Sequence, residues 1–365
     1  MELNESSECA NHGLSDDSHD NSRNNSHESA NGNKIDWSRF TAIVGKSTRV
    51  LLTAHKRPDG DCLGSEIAMH HILNRLGKDV RILNHHPVPY SLLFLDKSRW
   101  VRCFGDLDDE MRQWLSGVDL VMILDTSVWS QLGDVAQIVR EMSAKKLVLD
   151  HHETWEELGA ERFVDSAAEA TGVVVVRAAA ALGVELDRAI AEPLFTAIAT
   201  DTGWFAYSSV TAETYRVVAK LIDAGVVASD IYKEIYEQES IERIRLIGRT
   251  LANVETFFDG DLMLAKITLA DLAAVGGEQS DSEGLASMIL KVKDSKISVL
   301  ISELDDGSFK ISLRSRSNID CSKLASQFGG GGHKKAAGAT LHLTYEETKN
   351  NIINAISKTL EASEK

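Results

Sequence analysis

The 365-residue chain has no apolar run long enough to cross a membrane: the stretch Gly172 to Val176 is cut by Arg177, far short of the ~20 residues a helical span needs. Its N-terminus has no apolar segment of the kind a secretory leader carries, so no secretory signal is expected. Cysteine is scarce: Cys9, Cys62, Cys103 and Cys321 are the only four, and none forms a CxxC pair. That argues for reduced thiols in a cytoplasm rather than a disulfide scaffold. Positive charge is short as well, with 39 Lys+Arg against 55 Asp+Glu and a net charge of −16. Such a balance argues against a protein that coats long duplex nucleic acid. It leaves room for a short anionic substrate held by metal and a local basic patch. Residues 1–34 nearly lack large apolar side chains and are rich in Ser, Asn, Asp and Glu. They cannot bury enough surface to fold and are expected to form a disordered polar tail. The tail's His12, His19 and His27 read as solvated rather than metal-binding. No internal repeat is apparent.

What is present suits two domains, since 365 residues at 43% hydrophobic and 26% charged exceed one ordinary core. From Ile35 onward strand and helix patterns alternate. Strands are expected at 49–55, 79–86, 118–125 and 146–150, and helices at 63–76, 131–142, 169–182, 187–201 and 212–224. This predicts an α/β domain over 35–228, a mostly parallel sheet flanked by helices. Residues 229–254 carry many charges at helical spacing and read as a helical connector. A smaller α+β domain is expected over 255–361. Its strands at 262–267, 297–304 and 309–314 look antiparallel, with Asp305-Asp306-Gly307 as a hairpin turn. Its helices are expected at 282–292, 321–328 and 345–360.

The chain is organised around Thr53-Ala54-His55-Lys56-Arg57-Pro58-Asp59-Gly60-Asp61. An apolar strand enters this stretch and a helix leaves it. Pro58 and Gly60 suit the tight turn, one presetting φ and the other allowing positive φ. Parallel sheets collect ligands at the carboxyl ends of their strands. One imidazole and two carboxylates crowded there call for a cation, and the oxygen and nitrogen donors suit Mn, Mg, Fe, Co or Zn. Later apolar segments repeat the pattern. One delivers Asp125-Thr126-Ser127, the next Asp150-His151-His152, and a helical run delivers Asp201. A single Asp in such a place is an ordinary cap. Four polar sets after four apolar segments are hard to explain that way.

The sets His55-x-x-Pro58-Asp59-x-Asp61, Asp125, Asp150-His151-His152 and Asp201 resemble the four motifs of the DHH phosphoesterase superfamily. The run Gly329-Gly330-Gly331-Gly332-His333-Lys334-Lys335-Ala336-Ala337-Gly338 resembles the signature of its DHHA1 domain. The likeness covers about 36–360. It implies a site for two divalent metal ions, usually Mn²⁺, with Mg²⁺ or Co²⁺ also compatible. Carried over, His55, Asp59 and Asp125 would hold one ion. Asp61, Asp125, His151 and Asp201 would hold the other, with Asp125 bridging. Asp150 would orient the histidine pair, and His152 would face the scissile phosphate. Two cations ~3.5–4 Å apart hold a hydroxide, the phosphoryl oxygens and the leaving oxygen.

The second domain is expected to read the substrate. From Lys291 to Ala337 there are nine Lys/Arg and five Asp/Glu, a local excess of positive charge in an acidic chain. Arg314 and Arg316 lie two apart and share a face if on a strand, and Arg suits bidentate phosphate recognition. Gly330, Gly331, Gly332 and His333 would let backbone N–H groups approach an anion. His70, His71, His85, His86 and His342 read as surface or packed residues. The length and layout resemble the bifunctional oligoribonuclease/pAp phosphatase group of the superfamily. Its substrates are short single-stranded RNA, degraded to mononucleotides, and adenosine 3′,5′-bisphosphate (pAp). The alternatives are a cyclic- or linear-dinucleotide phosphodiesterase and a single-strand-specific exonuclease. A homodimer is compatible with the sequence, which leaves the assembly open.

Overall fold

The computed structural model describes residues 35–363, so the tail expected over 1–34 lies outside the described residues. The chain divides between Ile231 and Tyr232 into two compact units.

The first unit runs α1 (Trp37–Lys46), β1 (Arg49–Thr53), α2 (Gly60–Arg75), β2 (Asp79–Asn84), β3 (Val101–Cys103), α3 (Asp109–Leu115), β4 (Leu120–Leu124), α4 (Val135–Glu141), β5 (Lys145–Asp150), β6 (Glu161–Val164), α5 (Thr171–Ala181), α6 (Arg188–Asp201) and α7 (Ala212–Asp223). Helix α8 (Ala228–Tyr236) spans the division. The six strands form one wholly parallel sheet in the order β3-β2-β1-β4-β5-β6. Parallel strands need crossovers; α2, α3 and α4 supply those after β1, β3 and β4, while irregular segments carry the chain from β2 to β3 and from β5 to β6. Leu51, Leu83, Val121, Ile123 and Val148 pack against α3 and α4 on one face. Alternate residues point the other way, toward α2 and α5, which contact β1, β2 and β5. Strand order reverses between β1 and β4, and that switch point opens a crevice at their carboxyl ends.

Helices α2 and α6 approach closely enough that glycine is required between them. A Cβ on Gly64 would sit 2.3 Å from the Pro193 carbonyl oxygen, and one on Gly172 of α5 2.7 Å from the Ala197 methyl. The helix expected over 131–142 is shorter. Gly133, at φ 57°, interrupts the chain, and α4 begins only at Val135. The short β3 and β6, with α1 and α3, were not expected from the pattern.

The second unit contains α9 (Ile241–Ala252), β7 (Glu255–Phe257), β8 (Leu262–Ile267), α10 (Leu269–Val275), α11 (Leu285–Ile289), β9 (Ile297–Glu303), β10 (Phe309–Ser315), α12 (Cys321–Ser326), β11 (Gly331–His333), β12 (Ala336–Leu341) and α13 (Tyr345–Ser363). Its sheet has the order β11-β12-β10-β9-β8-β7. One face packs on α12 and α13 through Leu324, Ile352 and Ile356. The other packs on α9, α10 and α11 through Leu246, Leu272 and Leu285. The expected antiparallel arrangement of 262–267 and 297–304 is corrected here: β8 and β9 are parallel. The intervening residues form α10 and α11, the crossover that a parallel pair needs. The hairpin is as expected, with Leu304 and Ser308 bonded across Asp305-Asp306-Gly307 and Gly307 at φ 78°. Within 229–254, α9 packs into the second unit, where Leu246 is buried.

Candidate metal centre

The centre sits at the carboxyl ends of β1, β4 and β5, joined by the start of α2 and the end of α6. Asp59 caps α2, its Oδ1 accepting from the Cys62 amide at 3.0 Å. The same oxygen lies 3.6 Å from His55 Nε2. Asp61, in the first turn of α2, is 2% exposed. It accepts from the Thr171 and Gly172 amides at 2.7 and 2.9 Å, the N-terminal N–H groups of α5. Asp125 follows β4 with φ 58° and is 3% exposed. Its Oδ2 faces His55 Nε2 at 3.2 Å, and its Oδ1 faces His151 Nε2 at 3.7 Å. It therefore stands between two imidazoles, one on each carboxylate oxygen. Thr171 Oγ1 donates to Asp125 Oδ1 at 2.8 Å.

His151 lies 3.2 Å through Nδ1 from the Ala168 carbonyl oxygen. A proton on Nδ1 donates to that oxygen and leaves Nε2 free as a ligand atom. That Nε2 lies 3.7 Å from Asp61 and 3.6 Å from Asp201. Asp150 is fully buried and is not turned to the cluster. Its Oδ1 accepts from the His151 and His152 amides and from His152 Nδ1, at 2.8, 3.1 and 2.8 Å. Its Oδ2 accepts from Ser127 Oγ at 2.6 Å. Both histidines are thus anchored by one carboxylate. Three sets have ligand atoms all within 4.8 Å of one another: His55-Asp59-Asp125, Asp61-His151-Asp201 and Asp125-His151-His152.

The charges in this cluster suit a cation. Burial, with Asp125 and Asp201 adding to it, pushes the Asp61 carboxyl well above its ordinary value. Burial also raises Asp201, and Asp125 and Asp59 add to it while His151 opposes. Asp201 ends α6, where the helix dipole disfavours a further negative charge. Burial works against a charge on His55, yet bonds to Asp125 and Asp59 push it up to about 10. His152 rises to about 9, through its bond to Asp150 and against burial. Protons are thus held where positive charge is wanted. All donors are carboxylate oxygen or imidazole nitrogen, the set suited to Mn²⁺, Mg²⁺ and related ions. The residues fit a divalent metal centre.

Thr171 and Gly172 went unnoticed in sequence because their contribution is a backbone amide or a hydroxyl, whereas Ser127 stands in the polar set after β4 and its bond to Asp150 did not show there. Glu66 was missed too. It is fully buried in α2, receives Asn84 Nδ2 at 2.7 Å, and leaves Oε1 with no hydrogen-bond partner. Burial pushes it up to about 8. A carboxyl inside the apolar run Cys62–Leu73 was a visible signal for it.

In the second unit, Arg314 of β10 pairs with Ala336 of β12, and Ala336 pairs with His333 of β11. Directly opposed residues share a face, so Arg314 and His333 flank one small side chain. Arg314 Nη1 donates to the Leu313 carbonyl at 2.9 Å. Arg316 lies beyond the strand and donates to the Leu290 and Val292 carbonyls after α11. Gly330 and Gly332 are close-approach glycines, where a Cβ would meet the Gly338 and Ala336 carbonyl oxygens at 2.2 and 2.6 Å. Gly331 has open space around it. His70 and His71 pack on Trp100 at 4.7 and 4.8 Å, and His85 on His86 at 4.3 Å.

Comparison with known proteins defines the class. Residues 49–198 match the DHH family N-terminal domain, and residues 266–362 match the DHHA1 domain. The chain is 30% identical over 325 residues to the bifunctional oligoribonuclease and PAP phosphatase NrnA of Thermus thermophilus, covering 88% of this chain and 94% of that one. The Bacillus subtilis protein of the same name is 25% identical, covering 80% of this chain and 89% of its own. A crystal structure of an exopolyphosphatase-related protein from Bacteroides fragilis superposes with a TM-score of 0.80 at 26% identity, covering 90% of this chain and 97% of that one. The chain belongs to the DHH family and carries a C-terminal DHHA1 domain.

Proposed function

We propose that this chain is a metal-dependent phosphoesterase that hydrolyses short oligoribonucleotides to mononucleotides and pAp to AMP. The observation that carries the reading is Asp125, with one carboxylate oxygen toward His55 and the other toward His151. A single carboxylate between two ligand sets is what a paired metal site needs. The names of the Thermus and Bacillus relatives support both substrates. We assign His55, Asp59 and Asp125 to one ion and Asp61, Asp125, His151 and Asp201 to the other, with Mn²⁺ as first choice. When bound, such ions polarise the phosphoryl oxygens and generate the attacking hydroxide.

The remaining work belongs to the chain. Asp150 holds His152 by Nδ1. That bond favours a proton on His152, and a cationic His152 would offset charge on the phosphate. It lines a cavity of about 400 Å³ together with His55 and Asp125, room for a nucleotide. In the DHHA1 domain, Arg314 and His333, with the N–H groups of Gly330, Gly331 and Gly332, capture the substrate's second phosphate. Arg316 is a further candidate for the same task. Its bonds to the carbonyls after α11 favour a supporting part instead. Three described cysteines, Cys62, Cys103 and Cys321, are free thiols, and we place the enzyme in the cytoplasm.

The test is hydrolysis with Mn²⁺ of a panel: RNA of two to ten nucleotides, pAp, c-di-AMP and a long duplex. Mononucleotides from the short RNA and AMP from pAp are expected, with the duplex intact. In the same panel Arg314→Ala raises KM for phosphorylated substrates while metal content stays unchanged. Turnover confined to c-di-AMP would overturn the substrate reading and leave a cyclic-dinucleotide phosphodiesterase.

A further inference from the structure

We infer that the cavity built around Trp155 and Arg162 is a nucleobase subsite for the nucleotide adjoining the phosphate at the metal centre. The inference rests on the phosphoesterase reading and gives it a specificity determinant. His152 lines two cavities. One contains His55 and Asp125. The other, of about 560 Å³, is lined by Trp155, Arg162, Asp36, Glu153 and Asp165 among others. A volume of that size admits a nucleoside. The two cavities therefore share the residue assigned to the scissile phosphate.

The second cavity offers a stacking platform. Trp155 lies in the loop after β5, three residues beyond His152, and is 52% exposed. Arg162, on the edge strand β6, holds its Cζ 4.4 Å from the indole centroid. Arg162 forms no ion pair among the described residues. A guanidinium on an indole makes a flat, polarisable surface with a charged edge. Flat faces of this kind bind bases without regard to sequence.

The charges nearby favour a base over another phosphate. Three carboxylates line this cavity together with Arg162 and His152, and of these Asp36 caps α1 and Asp165 pairs with Arg177. The lining therefore holds no excess of positive charge to draw a second phosphate. A neutral base needs none, and its N–H groups are donors that Glu153 can accept.

The test uses the full-length, metal-loaded enzyme with Trp155→Ala and Trp155→Phe. Substrates are a 5′-phosphorylated RNA dinucleotide and its two isomers that each lack one base. Stacking contributes ~1–3 kcal/mol per base, so Trp155→Ala should raise KM for the intact dinucleotide about tenfold. Its kcat should stay within about twofold, and Trp155→Phe should retain most of the affinity. One abasic isomer should bind wild type and Trp155→Ala equally. A KM unchanged by Trp155→Ala, or raised equally for both abasic isomers, overturns the subsite. Should wild type cleave no RNA at all, the functional reading falls, and binding of AMP against ribose 5-phosphate decides the subsite by itself. Tighter AMP binding in wild type, lost in Trp155→Ala, supports it; no preference for AMP in wild type overturns it.

Discussion

A left-handed backbone at Asp125 is the residue-scale feature on which the centre turns. At φ 58° most side chains are strained, while Asp and Asn tolerate the region. The turn lifts the carboxylate off the end of β4, so its two oxygens meet His55 and His151. Away from the centre, His70 gives the clearest pH effect. Burial, with the nearby charge of His71, pushes it down to about 4. The folded state thus holds it neutral where the unfolded chain protonates near 6.5. Its contribution to stability is fully present above pH 6.5 and is lost as pH falls from there toward 4. Between pH 7 and pH 4.5 the wild type should lose about 2 kcal/mol more than His70→Gln, read from urea unfolding. An equal loss in both would contradict the assignment. Most residues of the candidate site were legible because their side chains are the proposed ligands: His55, Asp59, Asp61, Asp125, His151 and Asp201 stand in one spaced pattern. Thr171 and Gly172 were not, since backbone amides leave no mark in a sequence.

At the scale of elements, the close pairing of α2 with α6 brings Asp61 near Asp201. Gly64 permits that approach, because a methyl there would press on the Pro193 carbonyl. Gly64→Ala should cost about 1–3 kcal/mol, lowering the melting temperature by several degrees. It should also weaken Mn²⁺ binding, since the helices carry Asp61 and Asp201, which are proposed to hold the same ion. An unchanged melting temperature would mean that the helices separate without penalty. The parallel sheet was legible from apolar runs alternating with helical ones. The parallel pairing of β8 with β9 was not, because α10 is only seven residues long and α11 only five. Periodicity is weak over such lengths. Short edge strands such as β3, β6 and β11 escaped for the same reason.

On the scale of the whole molecule, an acidic chain is expected to handle acidic substrates. The apparent conflict resolves locally. Asp59, Asp61, Asp125 and Asp201 gather at the first sheet's carboxyl edge in sets that could hold a cation, and the second unit holds the local excess of Lys and Arg. The two family matches fall one in each unit. The most direct test of the account is metal binding and turnover in Asp125→Asn. Asparagine keeps the size and tolerates the left-handed backbone, so only the charge is lost. Calorimetric titration of metal-stripped protein with Mn²⁺, paired with hydrolysis of a dinucleotide RNA, reads both consequences at once. Two Mn²⁺ should bind per wild-type chain, and the variant should show weakened binding at both sites with turnover at least about a hundredfold lower. Wild-type activity in the variant, or in wild type under excess chelator, would contradict it.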